Sequence, residues 1–406
     1  MLTCGLLGRR LGHSYSPQLH ALFGDYVYRL FEVEPDALAD FLHSDAFDAL
    51  NVTVPYKKAV LPYCAALSDT ARAVGCVNTV VRRADGSLFG DNTDVFGFSR
   101  MLAGTGFRAA GKKALVFGSG GASAAVCHVL REQGAEVVVI SRQGENNYVN
   151  LSRHADARLL VNATPLGMFP ENGGSPCDLA RFPDCECVLD VVYNPEKTAL
   201  LLQAEALGIP FAGGLSMLVA QAKRSSELFT GTPLSDAVIA DGIRALSRQM
   251  RNIVLIGMPG CGKSTVGAAL AARLGRQLYD TDEEFARRAS MSAGDYIRTY
   301  GEDAFRRAET EVVSDLCKLS GCVIATGGGV VTRPENRGLL RQNGIVVWVQ
   351  RAVNALPTAG RPLSERFSAE RLFAEREPLY RSFSDHSVSN DGTISACVDA
   401  ILEAIQ

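Results

Sequence analysis

Residues 257–265 read GMPGCGKST, and this stretch decides how the residues around it fold. From Gly257 to Ser264 the order G-x-x-x-x-G-K-[ST] is complete. The apolar run NIVLI precedes it and TVGAALAARLG follows. A strand, a glycine-rich loop and a helix in that order form a grip for a nucleoside triphosphate. Gly257, Gly260 and Gly262 let the main chain wrap the phosphates, and Thr265 heads the helix as a further contact. Lys263 reaches the β- and γ-phosphates, and the Ser264 hydroxyl meets Mg²⁺. The second half of the chain is therefore expected to be an α/β domain on a parallel sheet that binds Mg-ATP. NIVLIG, CVIATGGG and GIVVWVQ are its clearest strands.

A different grip lies upstream. KKALVFG reads as a buried strand, GSGGA (118–122) as a tight turn, SAAVCHVLREQG as a helix stopped by Gly134, and EVVVISR as the next strand. Gly118, Gly120, Gly121 and Ala122 would bring a pyrophosphate close to the helix N-terminus. The third glycine of the usual dinucleotide fingerprint is replaced by Ser123. At the end of the following strand stand Ser141 and Arg142, where an NAD site usually carries an acid for the ribose 2′-hydroxyl. A guanidinium suits a 2′-phosphate, so NADP is expected over NAD.

The 406 residues suggest two or three domains at roughly 150 residues each. Apolar residues make up 47% and charged residues 21%, as in an ordinary globular protein. A net charge of -3 gives no general attraction to nucleic acid or anionic membranes. No apolar run is long enough to span a bilayer, and the first residues lack the order of an export signal. The eleven cysteines are odd in number and scattered, which fits a reducing cytoplasm. Cys185 and Cys187 form a C-x-C near Cys177, without the second ligand pair that zinc spacing requires.

The first half carries a resemblance. GRRLGHSYSPQLH, NVTVPYK, VGCVNT, GDNTDVFG, GSGGA, NATPLGM, DVVYNP and GLSMLVAQA, in this order over nearly all of residues 1–247, resemble shikimate dehydrogenase. The resemblance implies NADPH-dependent reduction of 3-dehydroshikimate in a cleft between a substrate domain and a Rossmann domain. It makes Lys57 and Asp94 the catalytic pair, and an ammonium beside a carboxylate can supply the proton that a developing alkoxide needs. It assigns Ser14 and Ser16 to the substrate carboxylate, and Thr53, Asn78, Tyr193 and Gln221 to the ring and its hydroxyls. Departures are Arg10 in place of a usual proline, Ser141-Arg142-Gln143 in place of Asn-Arg-Thr, and Ala124 in place of a frequent arginine. Quinate is a related substrate to weigh.

In the second half, Asp280-Thr281-Asp282, Phe305-Arg306-Arg307, Gly327-Gly328-Gly329, Arg361-Pro362-Leu363 and the run from Arg376 to Tyr380 together resemble shikimate kinase. This implies a nucleoside monophosphate kinase-like fold that phosphorylates shikimate. Asp282 would hold the substrate hydroxyls and accept the proton of the attacking one. Arg306 and Arg376 would clamp the carboxylate, as guanidinium forks do. Gly327, Gly328 and Gly329 would let the backbone approach the ring, and Asp280 would meet the Mg²⁺ shell. Arg361 would close from a lid, although the preceding VQRAVNALPTAG is shorter and less basic than is typical of the family. The resulting division is a substrate domain at 1–100, completed by helices at about 220–248, a Rossmann domain at 101–219 and a P-loop domain at 250–406. Alternatives are a kinase for another small polar substrate, or a nucleotide-binding half that regulates without catalysis.

Overall fold

The structure is a computed structural model of the chain and describes residues 1–12, 14–356 and 369–405. It divides into two units, Met1–Leu246 and Ser247–Gln406. The boundary falls within the helix Ala237–Met250. Among the described residues no helix is long and apolar enough to cross a membrane.

The first unit contains two sheets. One is built from β1 (Thr3–Gly8), β2 (Val27–Glu32), β3 (Ala49–Val52), β4 (Cys64–Leu67), β5 (Thr79–Arg82) and β6 (Leu88–Asp91), in the order β2-β1-β3-β5-β6-β4. Strands β1, β2 and β3 run parallel, and β5 is antiparallel to both β3 and β6. The other sheet is built from β7 (Lys113–Phe117), β8 (Glu136–Ile140), β9 (Leu159–Asn162), β10 (Cys187–Asp190) and β11 (Phe211–Gly213), in the order β11-β10-β9-β7-β8. Its pairings are all parallel. A parallel sheet is covered on both faces, which is why consecutive residues of KALVF, LLVN and CVLD are apolar apart from a polar residue at one end of each. Strand β7 has β8 on one side and β9 on the other, so the strand order reverses there. That is where an open α/β sheet leaves a crevice for a ligand, and Gly118 and Ala163 stand at its mouth.

The second unit has one parallel sheet of β12 (Asn252–Ile256), β13 (Leu278–Asp280), β14 (Val323–Ala325), β15 (Gly344–Gln350) and β16 (His386–Ser389). The order is β13-β14-β12-β15-β16. Strand β12 is the switch point, and the loop 257–262 leaves its carboxyl end for the helix Lys263–Leu274. The core is formed by β12, β14 and β15 with the helices packed on them, including Leu270, Val313, Tyr380 and Ile401, each fully buried.

None of the eleven cysteines is disulfide-bonded. Among the described residues no cluster of His, Cys, Asp or Glu could hold a metal by itself.

Candidate active sites

Lys57 and Asp94 meet in the first unit. Lys57 Nζ donates to Asp94 Oδ2 at 2.6 Å, and both side chains are largely buried. Asp94 opens the helix Asp94–Gly104, where the helix dipole favours a negative charge. Its other oxygen, Oδ1, accepts from Asn78 Nδ2 at 2.8 Å. A cavity of about 230 Å³ surrounds this pair and is also lined by Ser14, Ser16, Thr53, Tyr193 and Gln221. All eight residues named for the dehydrogenase substrate thus share one small chamber. Ser14 Oγ also accepts from Ser16 N at 3.2 Å, which turns the chain into the helix Ser16–Phe23. Asn51 lines the chamber as well. The sequence reading passes over it, although it begins the motif NVTVPYK.

A second cavity of about 660 Å³ holds Gly118, Gly120, Ser141 and Arg142. Gly121 and Ala122 are not on its wall: Ala122 lines the substrate chamber, and Gly121 lies against Lys57, whose Cδ would be 3.2 Å from an added Cβ. The glycine turn and Lys57 are therefore neighbours. Gly118 has φ 108°, and a Cβ there would lie 2.9 Å from Thr164 Cγ2 and 3.0 Å from Ala163 O. That cradle admits only glycine and leaves the backbone open to a pyrophosphate, so the residues present fit a dinucleotide. The same cavity includes Tyr148 and Glu171. The end of β8 carries no acid, but Glu171 brings a carboxylate from the segment after β9, a contribution that local reading could not find.

A buried network shapes this wall. Asp190, with no exposure, accepts from Asn162 Nδ2 at 3.0 Å, Val192 N at 3.0 Å and Thr198 Oγ1 at 2.7 Å. Burial pushes its carboxyl up to about 7, against the pull of these donors. Asn162 in turn accepts from Thr164 N and Oγ1, which fixes a residue of the cofactor wall.

The second unit has a large cavity of about 970 Å³. Its walls include Gly260, Gly262, Lys263, Ser264 and Thr265 from the P-loop, and Asp282, Arg306, Gly327, Gly328, Gly329 and Arg376 opposite. Gly257 is not on this wall and backs onto Val349 O. Arg361 lies outside the described residues. Lys263 Nζ donates to Gly257 O at 2.9 Å and Met258 O at 3.0 Å. Ser264 Oγ donates to Asp280 Oδ2 at 2.6 Å. A hydroxyl and a carboxylate held together beside a phosphate loop are the hard oxygen donors that Mg²⁺ takes, so these residues fit that ion. The other oxygen of Asp280 accepts from Asp282 N at 2.9 Å and caps the helix Thr281–Ala289. One residue thus serves both as helix cap and as partner of Ser264. Cys261, inside the loop, is fully buried, which removes the exposure that thiol oxidation requires.

Asp282 faces this cavity, reachable by solvent but ringed by protein. Desolvation there, with Asp280 and Glu309 nearby, pushes its carboxyl up to about 6, while Lys263 and Arg306 oppose the shift. Arg306 is buried, with Nη1 on Glu309 Oε2 at 2.6 Å and Nη2 on Glu302 Oε1 at 3.3 Å. The sequence reading gives Arg306 to a substrate carboxylate and misses these partners, although the three-residue spacing to Glu309 on a helix is visible in FRRAETE. Glu309 is a cavity residue in its own right. Its Oε1 has no hydrogen-bond partner and lies 2.6 Å from where a Gly327 Cβ would be.

The triple glycine is required by close packing. A Cβ on Gly329 would fall 2.0 Å from Arg306 Nη2, and one on Gly328 would fall 2.5 Å from Pro259 Cδ in the P-loop. Arg376 Nη1 and Tyr380 Oη, both from the helix Ala369–Phe383, donate to Gly328 O at 3.1 and 2.5 Å. Gly329→Ala is therefore expected to displace the Arg306 guanidinium. Losing one charged contact of about 1.5–3 kcal/mol should raise the KM for the acidic substrate roughly tenfold or more. Gly328→Ala meets a proline ring rather than a movable side chain, and should raise the KM for ATP as well. Steady-state kinetics of the two variants against both substrates separates these outcomes.

These folds and sites define a nicotinamide-nucleotide oxidoreductase followed by a P-loop phosphotransferase. The chain belongs to the shikimate dehydrogenase family through its first unit and carries a shikimate kinase domain in its second. The family model for the shikimate dehydrogenase substrate binding domain matches residues 6–80. The shikimate kinase model matches residues 259–406. The shikimate dehydrogenase (NADP(+)) of Salinibacter ruber is 38% identical over 277 residues, covering 59% of this chain and 96% of that relative. Shikimate 5-dehydrogenase from Thermus thermophilus, solved with NADP(H) and shikimate, is 34% identical with a TM-score of 0.56, covering 60% of this chain and 99% of that one. Quinate dehydrogenase from Corynebacterium glutamicum, solved with NAD, is 30% identical with a TM-score of 0.55, covering 60% and 99%.

Proposed function

We propose that the first unit reduces 3-dehydroshikimate to shikimate with NADPH, and that the second phosphorylates shikimate with Mg-ATP to give shikimate 3-phosphate. The observation that carries the reading is the substrate chamber, where six residues separated by up to 207 positions converge on the Lys57–Asp94 pair. NADPH supplies the hydride when bound. Lys57 holds the proton at Nζ, and Asp94 orients it and balances its charge. The ketone oxygen takes that proton as it becomes a hydroxyl, and solvent restores it to Lys57. Ser14 and Ser16 bind the carboxylate, and Thr53, Asn78, Tyr193 and Gln221 hold the ring with neutral hydrogen-bond partners. Arg142 favours the 2′-phosphate, whereas Glu171 in the same cavity disfavours it. A direct comparison of NADPH with NADH tests which prevails.

In the second unit, Lys263 stabilises phosphate charge, Ser264 and Asp280 hold the Mg²⁺ shell, and Arg306 and Arg376 bind the carboxylate. Asp282 accepts the proton of the attacking hydroxyl. A base must be ionised to act, and its pKa is raised to about 6. Kinase kcat/KM is therefore expected to fall as pH drops through about 6, the free-enzyme value that this parameter reports. A pH profile of the kinase reaction alone, with a flat acid limb down to pH ~4, would exclude Asp282 as that base.

The odd number and scattered placement of the cysteines in the sequence support a reducing, cytoplasmic setting. The function is tested by the two half-reactions run separately. Shikimate with NADP⁺ should yield NADPH, and shikimate with Mg-ATP should yield ADP and shikimate 3-phosphate. Inactivity in either assay with folded protein would refute the corresponding half, and a substrate panel including quinate would identify what that half takes instead.

A further inference from the structure

Behind the catalytic pair lies a cluster of three hydroxyls that binding of the substrate does not account for. Thr79 on β5, Thr93 just before the helix Asp94–Gly104, and Ser225 on the helix Leu215–Thr230 are each 1% exposed or less. Their oxygens form a triangle: Thr79–Thr93 3.2 Å, Thr79–Ser225 3.1 Å and Thr93–Ser225 3.0 Å. A hydroxyl buried without a partner is costly, and each carries a single proton to donate.

All three can be satisfied, and Thr93 Oγ1 also has Asn78 Oδ1 within reach at 3.2 Å. Ser225 donates to Gln221 O at 2.9 Å and accepts from Asn51 Nδ2 at 2.7 Å. Thr93 donates to Ser225, and Thr79 donates to Asn78 Oδ1 at 3.0 Å. Thr93 N donates to that same Asn78 oxygen at 2.7 Å. With two donors converging on its carbonyl, the Asn78 amide has one orientation. A flipped amide would turn its NH₂ toward those donors and its oxygen toward the Asp94 carboxylate, unfavourable on both sides. Held this way, Asn78 Nδ2 donates to Asp94 Oδ1 while Lys57 donates to Oδ2. Both oxygens of Asp94 are thereby engaged as acceptors.

We infer that the Thr79–Thr93–Ser225 cluster is a positioning unit for the reduction: it locks the Asn78 amide and thereby holds Asp94 as the acceptor facing Lys57. Through Asn51 and Gln221, which both line the substrate chamber, it ties the chamber floor to the catalytic pair. The inference rests on the dehydrogenase reading of this site.

Thr79→Val removes the hydroxyl and keeps the side-chain shape, while Thr79→Ser keeps the hydroxyl and loses a methyl. Both are made in the full chain, and kcat and KM for shikimate with NADP⁺ are measured beside thermal melts. Thr79→Val should lower kcat about tenfold, the loss expected for one misplaced buried hydrogen bond, with KM nearly unchanged. Thr79→Ser should stay close to the unsubstituted enzyme. A Thr79→Val enzyme at full kcat would overturn the inference. So would a Thr79→Ser enzyme as impaired as Thr79→Val, since methyl packing and not the hydroxyl would then be at issue. Should Thr79→Val not fold, Ser225→Ala decides by the same measure: lowered kcat in folded protein upholds the cluster, and unchanged kcat removes it. An unsubstituted chain that does not oxidise shikimate would refute the dehydrogenase reading itself, and the inference with it. An active chain insensitive to these substitutions refutes the inference alone.

Discussion

Lys57→Ala is expected to slow the reduction of 3-dehydroshikimate by roughly 10²–10⁴-fold, the usual contribution of a positioned general acid, while shikimate phosphorylation continues at its full rate. The lysine sits 2.6 Å from Asp94, and among the residues lining that chamber it is the one ammonium group. No serine, threonine or amide there can replace a cationic proton donor. Asp94 keeps its bond to Asn78, so the chamber should hold its shape and the loss should fall on kcat rather than KM. Shikimate affinity, measured by calorimetry on the variant, separates a lost proton donor from a collapsed site. The kinase rate of the same preparation shows that the rest of the chain is intact.

Lys263→Ala is the second large effect and its mirror image. Lys263 is nearly buried, at 7% exposure, and bonds two carbonyls of its own loop. In the proposed phosphoryl transfer it is the P-loop cation that balances developing phosphate charge. Removing one preorganised electrostatic contact of this kind costs about 10²–10³-fold in kcat. Phosphorylation should fall by at least that much, with 3-dehydroshikimate reduction unaffected. If either substitution abolished both activities in folded protein, the assignment of two separate sites would be wrong. Assaying both reactions on both variants gives the full crossed comparison.

Much of this is legible in the sequence, because its strongest signals are local. KALVF, LLVN, CVLD and NIVLI are apolar in consecutive residues, apart from a polar residue at one end of each, because parallel strands are covered on both faces. The two glycine loops follow β7 and β12 directly. The strands that sequence reading passes over, such as β4 (CAAL), β6 (LFGD) and β11 (FAG), have only three or four residues and lack full burial. A run that short shows no period. Strand β16 (HSVS) is mostly polar and half exposed, so little in its composition marks it as a strand.

The site residues divide in the same way. Lys57, Asp94, Lys263 and Asp282 lie in dense motifs and are readable there. Asn51 and Ser225 are placed by contacts with residues far along the chain, and Glu171 reaches its cavity from a separate segment. Ser225 meets Asn51 across 174 positions and Thr79 across 146, distances over which spacing carries no information. Arg306 shows a subtler limit. Its place in the kinase cavity and its three-residue spacing to Glu309 are readable, but the burial of that pair depends on which helix face turns inward, and that is set by the packing of the helix Glu302–Leu316.

The central claim is that one chain carries out both steps. It is tested most directly by incubating the purified chain with 3-dehydroshikimate, NADPH, ATP and Mg²⁺ and identifying the products by mass. Shikimate 3-phosphate, formed with consumption of both NADPH and ATP, is the expected result. Shikimate accumulating without its phosphate, or 3-dehydroshikimate left unchanged, would contradict the account.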